Sequence, residues 1–252
     1  SRGLGDVYKR QLYALVASIA SMKFFKKKFS YFYPILLLIF YTFVRHQFRE
    51  LAQIISNQVG QATSYFWTLL FLECSYLLLV FFLVKKHSQR QAFQWAKKRQ
   101  ALQAIYGTIF ASCAVYWLDY FMSGFVQGRA AIYQIFPRTI SPLGMLLLLV
   151  LVIFVRPVTE ELIFRGALVQ AYFNSSSFYG RVWGPAVIYG ALHLLAHPFT
   201  PVSFLIYILP SLVFGLLYDK TRSLYYPILA HIGLNLIYTL PVLLATLQGL
   251  SS

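Results

Sequence analysis

Apolar positions along the chain fall into long runs separated by short basic or turn-rich breaks. The first run, at about residues 29–44, is led by Lys23, Lys26, Lys27 and Lys28. A polar, amphipathic connection from Arg45 to Gln61 follows, and then a second run at about 65–84. The next break, KKHSQRQAFQWAKKR, carries six Lys and Arg and precedes a third run near 101–125. After a loop containing Gly and Pro, a fourth run starts at Leu143 and continues past Pro157 as an amphipathic helix to about Phe173. Runs near 182–197, 201–218 and 224–247 complete the pattern. A bilayer span needs about 20 mostly apolar residues, so these runs predict an all-α, polytopic membrane helix bundle of about seven transmembrane helices. No internal repeat and no boundary to a soluble domain is visible.

Composition points the same way. Of the 252 residues, 59% are hydrophobic and 12% charged, with a mean hydropathy of +0.63, whereas soluble domains carry roughly 25% charged residues. An ordinary water-soluble enzyme is excluded. The formal charge of +15 would in a soluble chain suggest nucleic acid. In a membrane chain it is an orientation signal, and no nucleic-acid partner is expected.

With a cytoplasmic N-terminus and seven crossings, the inner loops hold thirteen basic residues: Lys23, Lys26, Lys27, Lys28, Lys85, Lys86, Arg90, Lys97, Lys98, Arg99, Arg181, Lys220 and Arg222. The outer loops hold four, Arg45, Arg49, Arg129 and Arg138. The expected location is therefore the inner (plasma) membrane, in contact with the lipid bilayer, with any buried site in the inner half open to the cytoplasm. Cys74 and Cys113 lie inside apolar runs and read as small buried hydrophobes rather than a disulfide or a thiolate zinc site.

Residues 1–11, SRGLGDVYKRQ, look like the in-frame translation of a sequencing adapter and are set aside as a scar. Met22 is the expected native start. Without Arg2, Lys9, Arg10 and Asp6, 19 basic and 6 acidic residues remain, so the excess persists. The expected organisation is one membrane domain over 22–247, with N-terminal helices at 22–142 and a catalytic core at 143–247.

Ionisable residues within a span are costly and mark function by default. Asp219 sits at a helix end, Glu50 in a loop, and Glu73 and Asp119 singly in spans, where a structural hydrogen bond or an interfacial position accounts for them. Glu160 and Glu161 are adjacent in PVTEELIFRG. Arg165 follows Glu161 by one helical turn and can form a charge-assisted pair with it. Of two neighbouring carboxylates in a low-dielectric site, one is then expected to be held as the anion and the other to suit general-base work near neutral pH.

Two histidines are placed similarly. His193 in AVIYGALHLLAHP has Tyr189 one turn before it, and His231 in YYPILAHIGLNL has Asn235 one turn after it. His197 reads as structural, near the outer end of its helix. At 1.5 Å rise per residue, Glu160, His193 and His231 fall roughly 18, 16 and 12 Å below the cytoplasmic face. Three helices therefore bring polar pairs to a common depth.

Glu160, Glu161, Arg165, His193, His231 and Asn235 have the parts for peptide hydrolysis. A carboxylate and an imidazole can activate water, while an imidazole and a carboxamide can stabilise an oxyanion. Two His and a Glu are also a catalytic zinc set, so Glu160, His193 and His231 as zinc ligands remain the alternative to a mechanism requiring no cofactor. H-E-x-x-H is absent; HLLAH lacks the glutamate.

These motifs resemble a known family. EELIFR (Glu160 to Arg165) is similar to the EExxxR motif of the CPBP intramembrane proteases, the CAAX-protease and bacteriocin-processing family also called Abi. Tyr189 to His193 resembles its FxxxH motif, with Tyr in place of Phe, and His231 to Asn235 its HxxxN/D motif. The stretch LVFGLLYDKTRSLYYPILAHIGLN resembles the run before the last histidine, and the likeness covers about residues 143–240.

The resemblance implies an all-helical membrane endopeptidase related to type II CAAX prenyl proteases, acting on a membrane-associated or lipidated peptide or protein. On that pattern Glu160 is the water-activating base, assisted by His193. His231 and Asn235 form the oxyanion hole, Glu161 and Arg165 act structurally, and position 189 packs. Bacteriocin self-immunity or processing is the implied role in a bacterium. The competing class is a non-proteolytic transporter or scaffold with a buried Glu/His proton site, against which the chain shows no matched inverted halves. The sequence does not specify the oligomeric state.

Overall fold

The computed structural model describes residues 31–43, 47–60, 62–95, 98–122, 140–195 and 201–251. The adapter-like stretch, Met22, Lys23, Lys26, Lys27, Lys28, Arg45, Lys97, Arg129, Arg138 and His197 lie outside the described residues, as does the side chain of Asp119. Among the described residues there are eight helices and no strand. They are α1 (Tyr31–Phe43), α2 (47–59), α3 (Ala62–His87), α4 (Lys98–Met122), α5 (Pro142–Phe173), α6 (Phe178–Leu194), α7 (Pro201–Thr221) and α8 (Tyr225–Ser251).

Among the described residues, four helical stretches are long and apolar enough to cross a membrane: Thr63–His87, Pro142–Phe173, Phe204–Thr221 and Tyr225–Gln248. The protein is an all-α, multi-pass membrane helix bundle. The polar connection after the first run is itself helical, as α2. Cys74 and Cys113 are free thiols, and Cys113 is exposed on α4 rather than buried.

Local chemistry sets the helix ends. Ser141 caps α5, its hydroxyl accepting from Gly144 N at 3.2 Å, with Pro142 in the first turn, where a missing N–H costs nothing. Ser177 caps α6 in the same way through Gly180 N. Lys85, Lys86 and His87 end α3, a favourable place for cations. Gly60, at φ +70°, closes α2.

On α1 Tyr33, Leu37 and Tyr41, spaced by four, are buried together with Pro34, while Tyr31, Phe32, Ile35, Leu36, Ile39, Phe40 and Phe43 face outward. Two tyrosines with polar tips, Tyr33 and Tyr41, turn inward, while most of the outward side chains are hydrocarbon. The inward row packs with Tyr76, Val80 and Val84 of α3 and with Leu162, Ile163, Phe164, Ala167 and Leu168 of α5. Tyr76 Oη donates to the Leu37 carbonyl at 2.8 Å and fixes α1 against α3.

The α3–α4 connection straps one end of the bundle. Ser88 Oγ donates to the Gly166 carbonyl at 2.8 Å, Leu224 N to the Ala92 carbonyl at 2.8 Å, and Trp95 stacks on Tyr225 at 4.4 Å. At the same end Arg181 Nε donates to Asp219 Oδ1 at 2.6 Å, joining α6 to α7.

α3 and α5 pack tightly at Gly166, where a Cβ would stand 2.5 Å from Val84 Cγ1. Overpacking of about 1–3 kcal/mol outweighs the roughly 1 kcal/mol that alanine gains over glycine within a helix. Gly166→Ala is therefore expected to lower the thermal midpoint in detergent, with Val84→Ala in the same chain recovering part of the loss. A raised midpoint for Gly166→Ala alone would refute this account of the contact.

Candidate active site

The site is built around a disturbed stretch of α5. Its turns are π-helical over Leu151–Val155, α-helical over Arg156–Glu161 and π-helical again over Leu162–Phe173. Widened turns of this kind concentrate at functional sites. Pro157 gives a physical reason for the first of them. Arg156 N donates to the Leu151 carbonyl, one residue beyond its α-helical acceptor, so the Val152 carbonyl loses Arg156 as a partner. The donor one residue further on would be position 157, where proline has no N–H. Asn235 Nδ2 of α8 supplies the missing donor at 2.9 Å.

The segment between the widened turns presents Glu160 and Glu161 inward, at 6% and 0% exposure. Glu161 meets Arg165 Nη1 at 3.0–3.1 Å, the pair expected from their spacing. Arg165 is fully buried. Its Nη2 donates to the Ser211 carbonyl at 2.5 Å and to Ser211 Oγ at 2.7 Å. The Phe214 and Phe164 rings flank the guanidinium at 5.8 and 6.0 Å, within cation–π range.

His231 joins the two carboxylates. Its Nδ1 lies 3.0 Å from Glu161 Oε1 and its Nε2 lies 3.7 Å from Glu160 Oε2. A carboxylate only accepts, so Nδ1 carries the proton in that contact. When Nε2 is also protonated, the charges of Glu160, Glu161, Arg165 and His231 cancel within the buried cluster. Phe214 stacks on the imidazole at 4.6 Å and so packs against both the guanidinium and the histidine.

His193 is half-buried and is held through Tyr189. Its Nδ1 donates to the Tyr189 carbonyl at 3.0 Å, leaving the neutral ring's lone pair on Nε2. Its ring stacks between Tyr189 at 4.1 Å and Tyr207 at 5.0 Å. Tyr189 does more than pack, which corrects the expectation for that position: its hydroxyl donates to Glu160 Oε2 at 2.9 Å. Tyr41 of α1 donates to the other oxygen, Oε1. Glu73, expected to be structural, is buried and pairs with Arg156 Nε at 3.6 Å.

All six predicted residues thus lie on α5, α6 and α8. Glu160, Glu161, Arg165 and His231 form one contiguous cluster, His193 joins it through Tyr189, and Asn235 braces α5 beside it. Tyr41, Ser211, Tyr207 and Phe214 were not anticipated. For Tyr41 the available signal was the row of four-residue spacings on α1. For Ser211 and Phe214 there was only their place in the run before the last histidine.

A zinc ion would need Glu160, His193 and His231 to converge with ligand atoms about 2.0–2.2 Å from a common point. Among the described residues no three His, Cys, Asp or Glu are arranged to hold a metal ion.

Residues 142–237 match the family model described as type II CAAX prenyl endopeptidase Rce1-like. All three sequence motifs fall inside the matched span, and the match supports a CAAX-type intramembrane protease in general. No curated protein and no solved structure matches the chain.

The bond from Asn235 to Val152 can be tested apart from any activity. Asn235→Leu leaves a buried carbonyl without its partner, a loss of about 1–3 kcal/mol, and should lower the thermal midpoint in detergent. Pro157→Ala restores an N–H one turn away, so the double variant should melt above Asn235→Leu. If the added N–H brings no recovery, the carbonyl is not what Asn235 satisfies.

Proposed function

We propose that the protein is an intramembrane endopeptidase that hydrolyses a peptide bond of a membrane-associated or lipidated substrate with a water molecule activated by Glu160. The observation that carries this reading is the buried meeting of Glu160, Glu161 and His231 from two helices, with His231 Nε2 3.7 Å from Glu160 Oε2. Neither a serine nor a cysteine nucleophile is required.

In this reading Glu160 takes a proton from water, assisted by His193. The hydroxide attacks the scissile carbonyl. Charge on the resulting oxyanion is met by the Nε2–H of doubly protonated His231 and by the second amide hydrogen of Asn235, whose first is committed to Val152. Glu160 then passes its proton to the leaving amine as the C–N bond breaks. Glu161 and Arg165 hold His231 in orientation and balance its charge. The excess of basic residues on the predicted inner loops supports a site reached from the cytoplasm. The chemistry needs no bound metal in this form.

The test is cleavage of a panel of membrane-bound and lipidated peptides by the full chain in detergent, with and without a strong chelator. Glu160→Gln, His193→Ala and His231→Ala should each lower turnover by about 10²-fold or more, and the chelator should leave it unchanged. Near-normal cleavage by Glu160→Gln would rule out the mechanism. Chelator inhibition reversed by zinc would replace it with a metal-dependent one. A proton flux in vesicles that depends on Glu160, without peptidase activity, would instead favour a transporter.

For a bacterial host, which would not generally prenylate its own proteins, the physiological role we propose is immunity to, or processing of, a bacteriocin. Deleting the gene from a producing strain should make that strain sensitive to its own peptide. Unchanged growth in the presence of the peptide would count against immunity.

A further inference from the structure

Glu160 is gripped from two sides by phenols. Tyr41 donates to Oε1 and Tyr189 to Oε2, and both tyrosines are buried. One donor leaves a carboxylate able to turn about its terminal bond. Two donors on different helices and different oxygens fix its plane. Each carboxylate oxygen has two acceptor sites, so both phenols can bond while a water still finds a lone pair.

Neither tyrosine follows from the motifs. Tyr189 stands where the FxxxH pattern has phenylalanine, and its hydroxyl is the part that reaches Glu160. Tyr41 lies on α1, outside the matched residues 142–237. It is held there independently of the carboxylate, because Tyr76 of α3 donates to the α1 backbone at Leu37, one turn away.

We propose that Tyr41 and Tyr189 are positioning residues that together clamp the Glu160 carboxylate in the orientation from which it takes a proton from water. The proposal rests on the protease reading above. It makes α1 part of the catalytic unit and gives the tyrosine at 189 a task that phenylalanine could not perform.

The experiment compares the full-length protein with Tyr41→Phe, Tyr189→Phe and the double variant, all of which keep the packed rings. kcat and KM are measured on a peptide that the unaltered chain cleaves, with Glu160→Gln as the inactive reference. Each single variant should lose about tenfold or more in kcat with KM within about twofold, because the clamp acts on the base and not on substrate binding. The double variant should lose less than the product of the singles, since both hydroxyls act on one carboxylate.

Infrared difference spectra against Glu160→Gln provide a readout independent of turnover. The Glu160 carboxylate band should shift in each Phe variant. A lower melting temperature with unchanged kcat, or an unmoved band, would overturn the clamp. Absence of cleavage by the unaltered chain would overturn the protease reading and the clamp's catalytic role with it, whereas unchanged rates against an active parent overturn the clamp alone.

Discussion

A guanidinium with no solvent contact has to be neutralised where it sits, because an unpaired buried charge costs several kcal/mol. Arg165 meets that requirement through Glu161 on its own helix and Ser211 on α7. The consequences spread outward from this pair. Glu161, anchored by the arginine, turns its other contact to His231, which presents the opposite ring nitrogen to Glu160. Phe214 packs on both Arg165 and His231. The relative placement of α5, α7 and α8 therefore follows from satisfying one buried cation.

Around this cluster the labour is divided between parts of the chain. The Rce1-like span supplies the carboxylates, the arginine, both histidines and the asparagine. The helices before it supply enclosure: α1 covers Glu160 with a phenol, α3 holds α1, and the α3–α4 connection ties together the ends of α5 and α8. Glu73 of α3 also pairs with Arg156, one turn before Glu160 on α5.

Helix-spaced polar pairs were legible in the sequence because charge is scarce in this chain and each pair stood out against hydrocarbon. The Glu161–Arg165 spacing foretold an ion pair, and the apolar runs foretold the helices. Tyr41 was legible only as one member of a four-residue spacing, not as a partner of Glu160. In α1 both the lipid-facing and core-facing positions are apolar, so the periodicity that separates inside from outside in a soluble helix is absent. The partner it finds is 119 residues away. The widened turns of α5 were equally hidden, since Pro157 marks a disturbance without saying whether the backbone kinks or swells. Tyr189 looked interchangeable with phenylalanine because a motif records ring size more readily than a hydroxyl's destination.

Each of the four helices from α5 to α8 contains a proline: Pro157, Pro185, Pro210 and Pro241. A proline in a membrane helix removes a backbone donor, and the carbonyl left over has to find another partner because lipid offers none. For Pro157 the donor is Asn235 on α8, a helix synthesised after α5. During insertion α5 therefore enters the bilayer with a polar debt that only α8 discharges. Assembly of the bundle cannot finish helix by helix in the order of translation, and α5 reaches its final backbone form only when α8 arrives.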